Sequence, residues 1–175
     1  SASTDTTIVK IDTNEARGTT KNPYVIATYE HWEAMVKFCG TNLANSNGKV
    51  FVLANDVDFA GKTFHPITHF AGSFYGRGYA FKNITVSSWQ YWNGSAYVAF
   101  NSSITAGGYG IFGYTNNATV ADFDVVNFNL GEPPYSVWIS TYYYRFGGGI
   151  IGIANGTTNM LNCHTISTVT NTNTN

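Results

Sequence analysis

Asn55-Asp56-Val57-Asp58-Phe59, Lys82-Asn83-Ile84-Thr85-Val86, Ala121-Asp122-Phe123-Asp124-Val125 and Leu161-Asn162-Cys163-His164-Thr165 share one short pattern. Each sets Asn or Asp before an apolar residue, then a spacer, then a second apolar residue or Thr. The Asn/Asp positions 56, 83, 122 and 162 are spaced by 27, 39 and 40 residues. Gly110-Ile111-Phe112-Gly113 precedes the third segment and Gly149-Ile150-Ile151-Gly152 the fourth. Phe74-Tyr75-Gly76-Arg77-Gly78 takes the corresponding place before the second, and Phe81, Val120 and Met160 align two residues ahead of each Asn/Asp.

The apolar positions inside each segment alternate with a period of two, which predicts short strands. Asn and Asp bond readily to nearby backbone, which suits them to bends between strands. Short strands, glycine corners and a unit that cannot bury its apolar row alone predict a solenoid. Stacked coils would form parallel sheets with strands about 4.8 Å apart. Val57, Ile84, Phe123 and Cys163 would make one inward column; Phe59, Val86, Val125 and Thr165 would make another. The chain of 175 residues then reads as one domain: an arm over 1–23, a strand and helix over 24–49, coils over 50–170 and a tail over 171–175.

The same residues resemble the GLUG-motif family of prokaryotic surface proteins. The Gly-Ile-Phe-Gly and Gly-Ile-Ile-Gly runs are similar to the motif itself. Phe51 to Phe59, Pro66-Ile67 and Phe70 to Gly78 resemble the family's first coil, and the likeness runs from about residue 24 to 170. The chain departs from it at Tyr75, where the family usually has Asp, and in two long insertions. The resemblance implies an all-β fold, a short right-handed parallel β-helix, and a role at the cell surface. It carries over no catalytic residue.

Both ends of such a stack matter, because an exposed sheet edge templates association. Thr28 predicts an N-cap for a helix over 29–39, with Glu30 in its first turn. Trp32, Met35, Val36 and Cys39 form one apolar stripe at helical spacing, and Gly40 ends the helix. This helix is expected to cap the first coil. No comparable cap follows Cys163. Either the array continues in a longer protein or the open end stacks on another copy, a heterologous contact that would propagate into a filament. Cys39 and Cys163 are then too far apart for an internal disulfide.

Two insertions interrupt the repeat, and insertions in repeat folds gather on one face. The first, over 87–109, holds Trp89, Tyr91, Trp92, Tyr97 and Phe100 around the hairpin signal Asn93-Gly94. The second, over 126–146, holds Tyr135, Trp138, Tyr142, Tyr143, Tyr144 and Phe146 around Pro133-Pro134. Tyr and Trp concentrate at interfaces, and flat rings also stack on sugars. Three readings stay open: rings that cover the flank of the fold, a surface for self-association, or a carbohydrate-binding site.

Composition narrows the class. Net charge is -1 with 9 Lys and Arg, and no basic run exists to follow a row of phosphates, so nucleic acid is not an expected partner. No run of about 18 apolar residues predicts a membrane helix. Low charge with many Asn, Thr and Tyr fits an extracellular surface, with a signal peptide removed ahead of Ser1. Sequons at Asn83, Asn93, Asn101, Asn117 and Asn155 are candidate glycosylation sites, about as many as chance would place in so Asn-rich a chain.

An enzymatic reading would need two carboxyls about 5–9.5 Å apart. Asp58 and Asp124, in one outward row with Thr85 between them, are the best pair for glycan cleavage. Asp and Asn at bends have a backbone reason to be there, however. His65 and His69 are spaced like helical metal ligands, but Pro66 argues against that helix. No cofactor or metal is expected. The expectation is a non-catalytic, self-associating building block of a surface appendage, filament or adhesin. A carbohydrate- or host-binding adhesion module is the alternative, and a glycan-cleaving enzyme the third reading.

Overall fold

A computed structural model describes residues 9–10, 17–100, 108–131, 137–139, 142–144 and 149–166. The chain opens with strands β1 (Val9–Lys10) and β2 (Tyr24–Ile26), then helices α1 (Tyr29–Cys39) and α2 (Leu43–Ser46). Strands β3 (Val50–Leu53), β4 (Val57–Asp58), β5 (Ile67–Phe70), β6 (Ser73–Tyr75) and β7 (Ala80–Thr85) follow. A hairpin of β8 (Gln90–Trp92) and β9 (Tyr97–Ala99) leads to β10 (Gly110–Asn116) and the long β11 (Thr119–Asn129). A second hairpin, β12 (Val137–Ile139) and β13 (Tyr142–Tyr144), leads to β14 (Gly149–Asn155) and β15 (Asn159–Ile166).

The strands form two main sheets. In the smaller one β10 lies between β5 and β14, all parallel. In the larger one β11 is the spine. β6 and β7 lie end to end along one side of it, and β15 runs along the other, all parallel. Beyond β6 come β3, β2 and the antiparallel β1; beyond β7 comes β4.

This architecture corrects the expected β-helix. The described residues form flat, mostly parallel sheets with two short helices, not a solenoid. The register gives the physical reason. Asn83 was aligned with Asp122, but it sits across from Asn127: Lys82 pairs with Val126 and Ile84 with Phe128. Both Asp122 and Asn127 have positive φ, 62° and 55°, so β11 bends twice within five residues. The sequence pattern matched the wrong one of two similar bends. The column Val57, Ile84, Phe123, Cys163 therefore does not form. Val57 lies opposite Phe81, and Phe81 opposite Val125; of that column only Phe123 and Cys163 pair.

Helix α1 forms over the expected residues. The Thr28 hydroxyl accepts the His31 N–H at 3.1 Å, a cap worth about 1 kcal/mol. Gly40 closes the helix with φ of 54°. Its apolar stripe packs on β5, at the limit of the small sheet, and on β2 and β4 of the large sheet. Trp32 is fully buried and touches rings of both sheets: Phe81 at 5.1 Å, Phe112 at 6.2 Å and Phe74 at 6.4 Å between centroids. Its indole N–H donates to the His65 carbonyl at 2.9 Å. A large buried aromatic needs that polar partner, and it anchors the helix to the loop before β5.

The Gly-x-x-Gly runs have a steric cause. A Cβ on Gly152 would stand 2.7 Å from the Cα of Gly108 and from the carbonyl oxygen of Gly113. Three passages of backbone meet there, and only glycine lets them approach so closely.

Candidate functional site

The first aromatic insertion folds back on its own chain. Asn93 Oδ1 accepts the N–H groups of Ser95 and Ala96 at 2.8 and 2.9 Å, closing the turn between β8 and β9. Trp89 is 5% exposed. Its indole N–H donates to the Leu130 carbonyl at 3.1 Å, and its ring packs on Phe100 and Tyr109. Tyr91 is half-buried, edge-on to Phe100 at 5.6 Å. Trp89 is thus a packing residue. The aromatic face that sequence suggested is reduced in this hairpin to Tyr91, Trp92 and Tyr97, each half-buried.

A polar cluster fastens the hairpin to α1. Tyr97 OH donates to Glu33 Oε2, and His65 Nδ1 lies 2.8 Å from Glu33 Oε1. The Tyr97 ring stacks flat on the His65 imidazole, 3.6 Å between centroids at 8°. Lys37, one turn further along α1, places Nζ 4.8 Å from the Trp92 ring centre, a cation–π contact. Burial pushes the Glu33 carboxyl up, but hydrogen bonds from His65 and Tyr97 outweigh it and hold the group below the ordinary carboxylate range. Burial, followed by the bond to Glu33, pushes the Tyr97 phenol up. Glu33 is thus an ionised acceptor with its donors in place, and it works as a latch among α1, the loop before β5 and β9. Sequence reading missed this cluster. His65 drew attention only as a metal partner of His69, and Glu33 drew none.

His65 and His69 do not converge. His69 faces Tyr114, and its buried Nδ1 has no hydrogen-bond partner among the described residues. Among the described residues no group of three His, Cys, Asp or Glu is placed to hold a metal. Asp58 and Asp124 do not share the expected row. Asp58 lies across from Lys82 and Asp124 from Ala80. Asp58 accepts from Asn83 Nδ2 at 2.9 Å and from the Ala60 N–H at 2.9 Å. These bonds hold its carboxyl below the usual range, that from Asn83 first. Asp124 lies 3.2 Å from His164 Nδ1. Each acid has a local partner of its own.

The bend residues bond to each other across strands. Asn127 Nδ2 donates to Asn83 Oδ1 at 2.7 Å, and Asn162 Nδ2 donates to Asp122 Oδ1 at 3.0 Å. Among the sequons, Asn83 is therefore tied up between Asp58 and Asn127. Asn93 and Asn117 are exposed at turns. Asn155 is exposed and donates to the Tyr114 hydroxyl at 2.8 Å. Asn101 and Tyr135 lie outside the described residues. Trp138, Tyr142, Tyr143 and Tyr144 lie on the β12–β13 hairpin, where Trp138 pairs with Tyr143 and Val137 with Tyr144.

The last two strands carry the most distinctive surface. β14 repeats β10 and β15 repeats β11 in parallel register, Gly110 across from Gly149 and Thr119 from Asn159. Among the described residues no strand pairs the far side of β14 or β15. Met160, Leu161 and Ile166 on β15 are 51%, 57% and 54% exposed. Cys163 is half-buried beside the core, and both thiols are free. Natural sheets blunt long edges with lysine, proline or short length. β15 has eight residues with no proline and no Asp, Glu, Lys or Arg. The signal for it was in the sequence: after Arg145 the chain contains none of those four charged residues.

Comparison of the chain with protein-family models, with curated proteins and with solved structures found no match.

Proposed function

We propose that this chain is a non-catalytic structural protein of the cell exterior, a building block of a surface appendage, filament or adhesin that associates with copies of itself. One observation carries the reading: an eight-residue, uncharged sheet edge, unpaired among the described residues, that exposes Met160, Leu161 and Ile166. Such an edge offers a row of unmet N–H and C=O groups beside apolar side chains, and a second sheet edge satisfies both. The extracellular assignment rests on composition, 11% charged residues against about 25% in an average soluble domain.

A carbohydrate-binding role for the aromatic insertions has less support. Trp89 is spent on packing, and Tyr97 on Glu33 and His65. Multi-angle light scattering on the purified chain tests the assembly reading. The mass should rise above 19.1 kDa with concentration. Met160→Lys with Ile166→Lys should return it to that value while circular dichroism stays unchanged. A wild-type chain that stays at the monomer mass throughout would contradict the proposal.

A further inference from the structure

We infer that the open edge pairs with itself, antiparallel, about a two-fold axis, so that this contact closes at a dimer and does not propagate. The inference rests on the self-association proposed above and names its geometry. A head-to-tail contact needs a second, complementary edge on the same chain. Among the described residues the opposite limits of the sheets do not offer one. The small sheet ends at β5, which is backed by both helices. Thr68 Oγ1 donates to the Gly40 carbonyl at 2.7 Å, and just past the strand the Ala71 N–H donates to Ser46 Oγ at 2.8 Å. The large sheet runs out through β3 and β2 into β1, two residues long and antiparallel. Its other limit is β4, two residues long and carrying Asp58. Among the described residues nothing at these limits matches the eight residues of β15.

A symmetric contact has a different requirement: each side chain meets its own kind. Charged edges resist this, because like charges then face each other. β15 carries no Asp, Glu, Lys or Arg, and neither does β14. The exposed apolar residues also sit at both ends of β15. Antiparallel pairing along the whole strand brings the Met160–Leu161 end of one copy beside the Ile166 end of the other. β14 and β15 lie on the same side of β10 and β11, where successive strands of one chain have already paired in register. A two-fold axis normal to the large sheet at the middle of β15 joins β15 to β15 and makes that sheet continuous across the dimer.

Sedimentation velocity over a hundredfold concentration range tests this. A monomer–dimer equilibrium that saturates at twice the chain mass is expected, and Leu161→Lys should weaken it at least tenfold. Spin labels on a Thr157→Cys chain in a Cys163→Ser background should give one narrow intermolecular distance. A mass that keeps growing with concentration overturns the two-fold closure but leaves self-association standing. A mass fixed at one chain overturns both. A saturating dimer unaffected by Leu161→Lys overturns the placement at this edge.

Discussion

Glu33 shows how one side chain decides what a neighbouring segment can do. Its carboxylate takes a phenol and an imidazole from two other parts of the chain. The β8–β9 hairpin consequently lies against α1 and does not project as a free aromatic arm. Tyr97→Phe removes a hydrogen bond to a charged group, so it should cost about 1.5–3 kcal/mol in urea unfolding. Acid should act on the same residue. A carboxyl held below its unfolded value of about 4.3 contributes stability that is present above that pH and lost as pH falls through its folded value. His69 adds an earlier step of the same sign. Burial lowers the imidazole's pKa, so below about pH 6.5 the unfolded chain binds the proton more readily and stability begins to fall. His31 acts in the same direction, lowered by burial, and its Nδ1 accepts the Ala27 N–H. Urea midpoints should decline from about pH 7.5 to 5.5 and again toward pH 3.5. Midpoints unchanged over the first interval would contradict the buried, neutral state of His69.

The strands teach a lesson about register. Gly152→Ala should destabilise the fold by about 1–3 kcal/mol through overpacking where β10, β14 and the chain at Gly108 meet, as thermal or urea unfolding would show. That crossing underlies the Gly-x-x-Gly runs, so the pairing of β10 with β14 was legible in the sequence. So were helix α1 with its Thr28 cap and the Asn93-Gly94 hairpin, because each has a local chemical signature. The register of β7 was not. Asn83, Asp122, Asn127 and Asn162 all adopt positive φ, and from sequence alone they are interchangeable. The choice between Asp122 and Asn127 as the partner of Asn83 is made by β6, which occupies the first stretch of β11 and leaves the second to β7. That competition is tertiary, and no local pattern encodes it. The error of five residues undid the predicted column and, with it, the solenoid.

The molecule as a whole is asymmetric. One end of the sheets is closed by helices and by the ring cluster around Trp32, and the other ends in two uncharged strands with exposed apolar side chains. The candidate site was only half legible. The charge-free run after Arg145 marks this edge in the sequence, while the aromatic insertions drew attention to residues such as Trp89 that belong to the core. Rings look alike in sequence whether they pack inward or outward, because an apolar ring serves either purpose; a long run without charge is a less ambiguous sign of an edge. Hydrogen–deuterium exchange over residues 159–166, followed from dilute to concentrated protein, tests the role of this end most directly. Amides on the outer side of β15 should become protected as concentration rises while those of β10 stay unchanged. Exchange at β15 that is independent of concentration would contradict assembly through this edge.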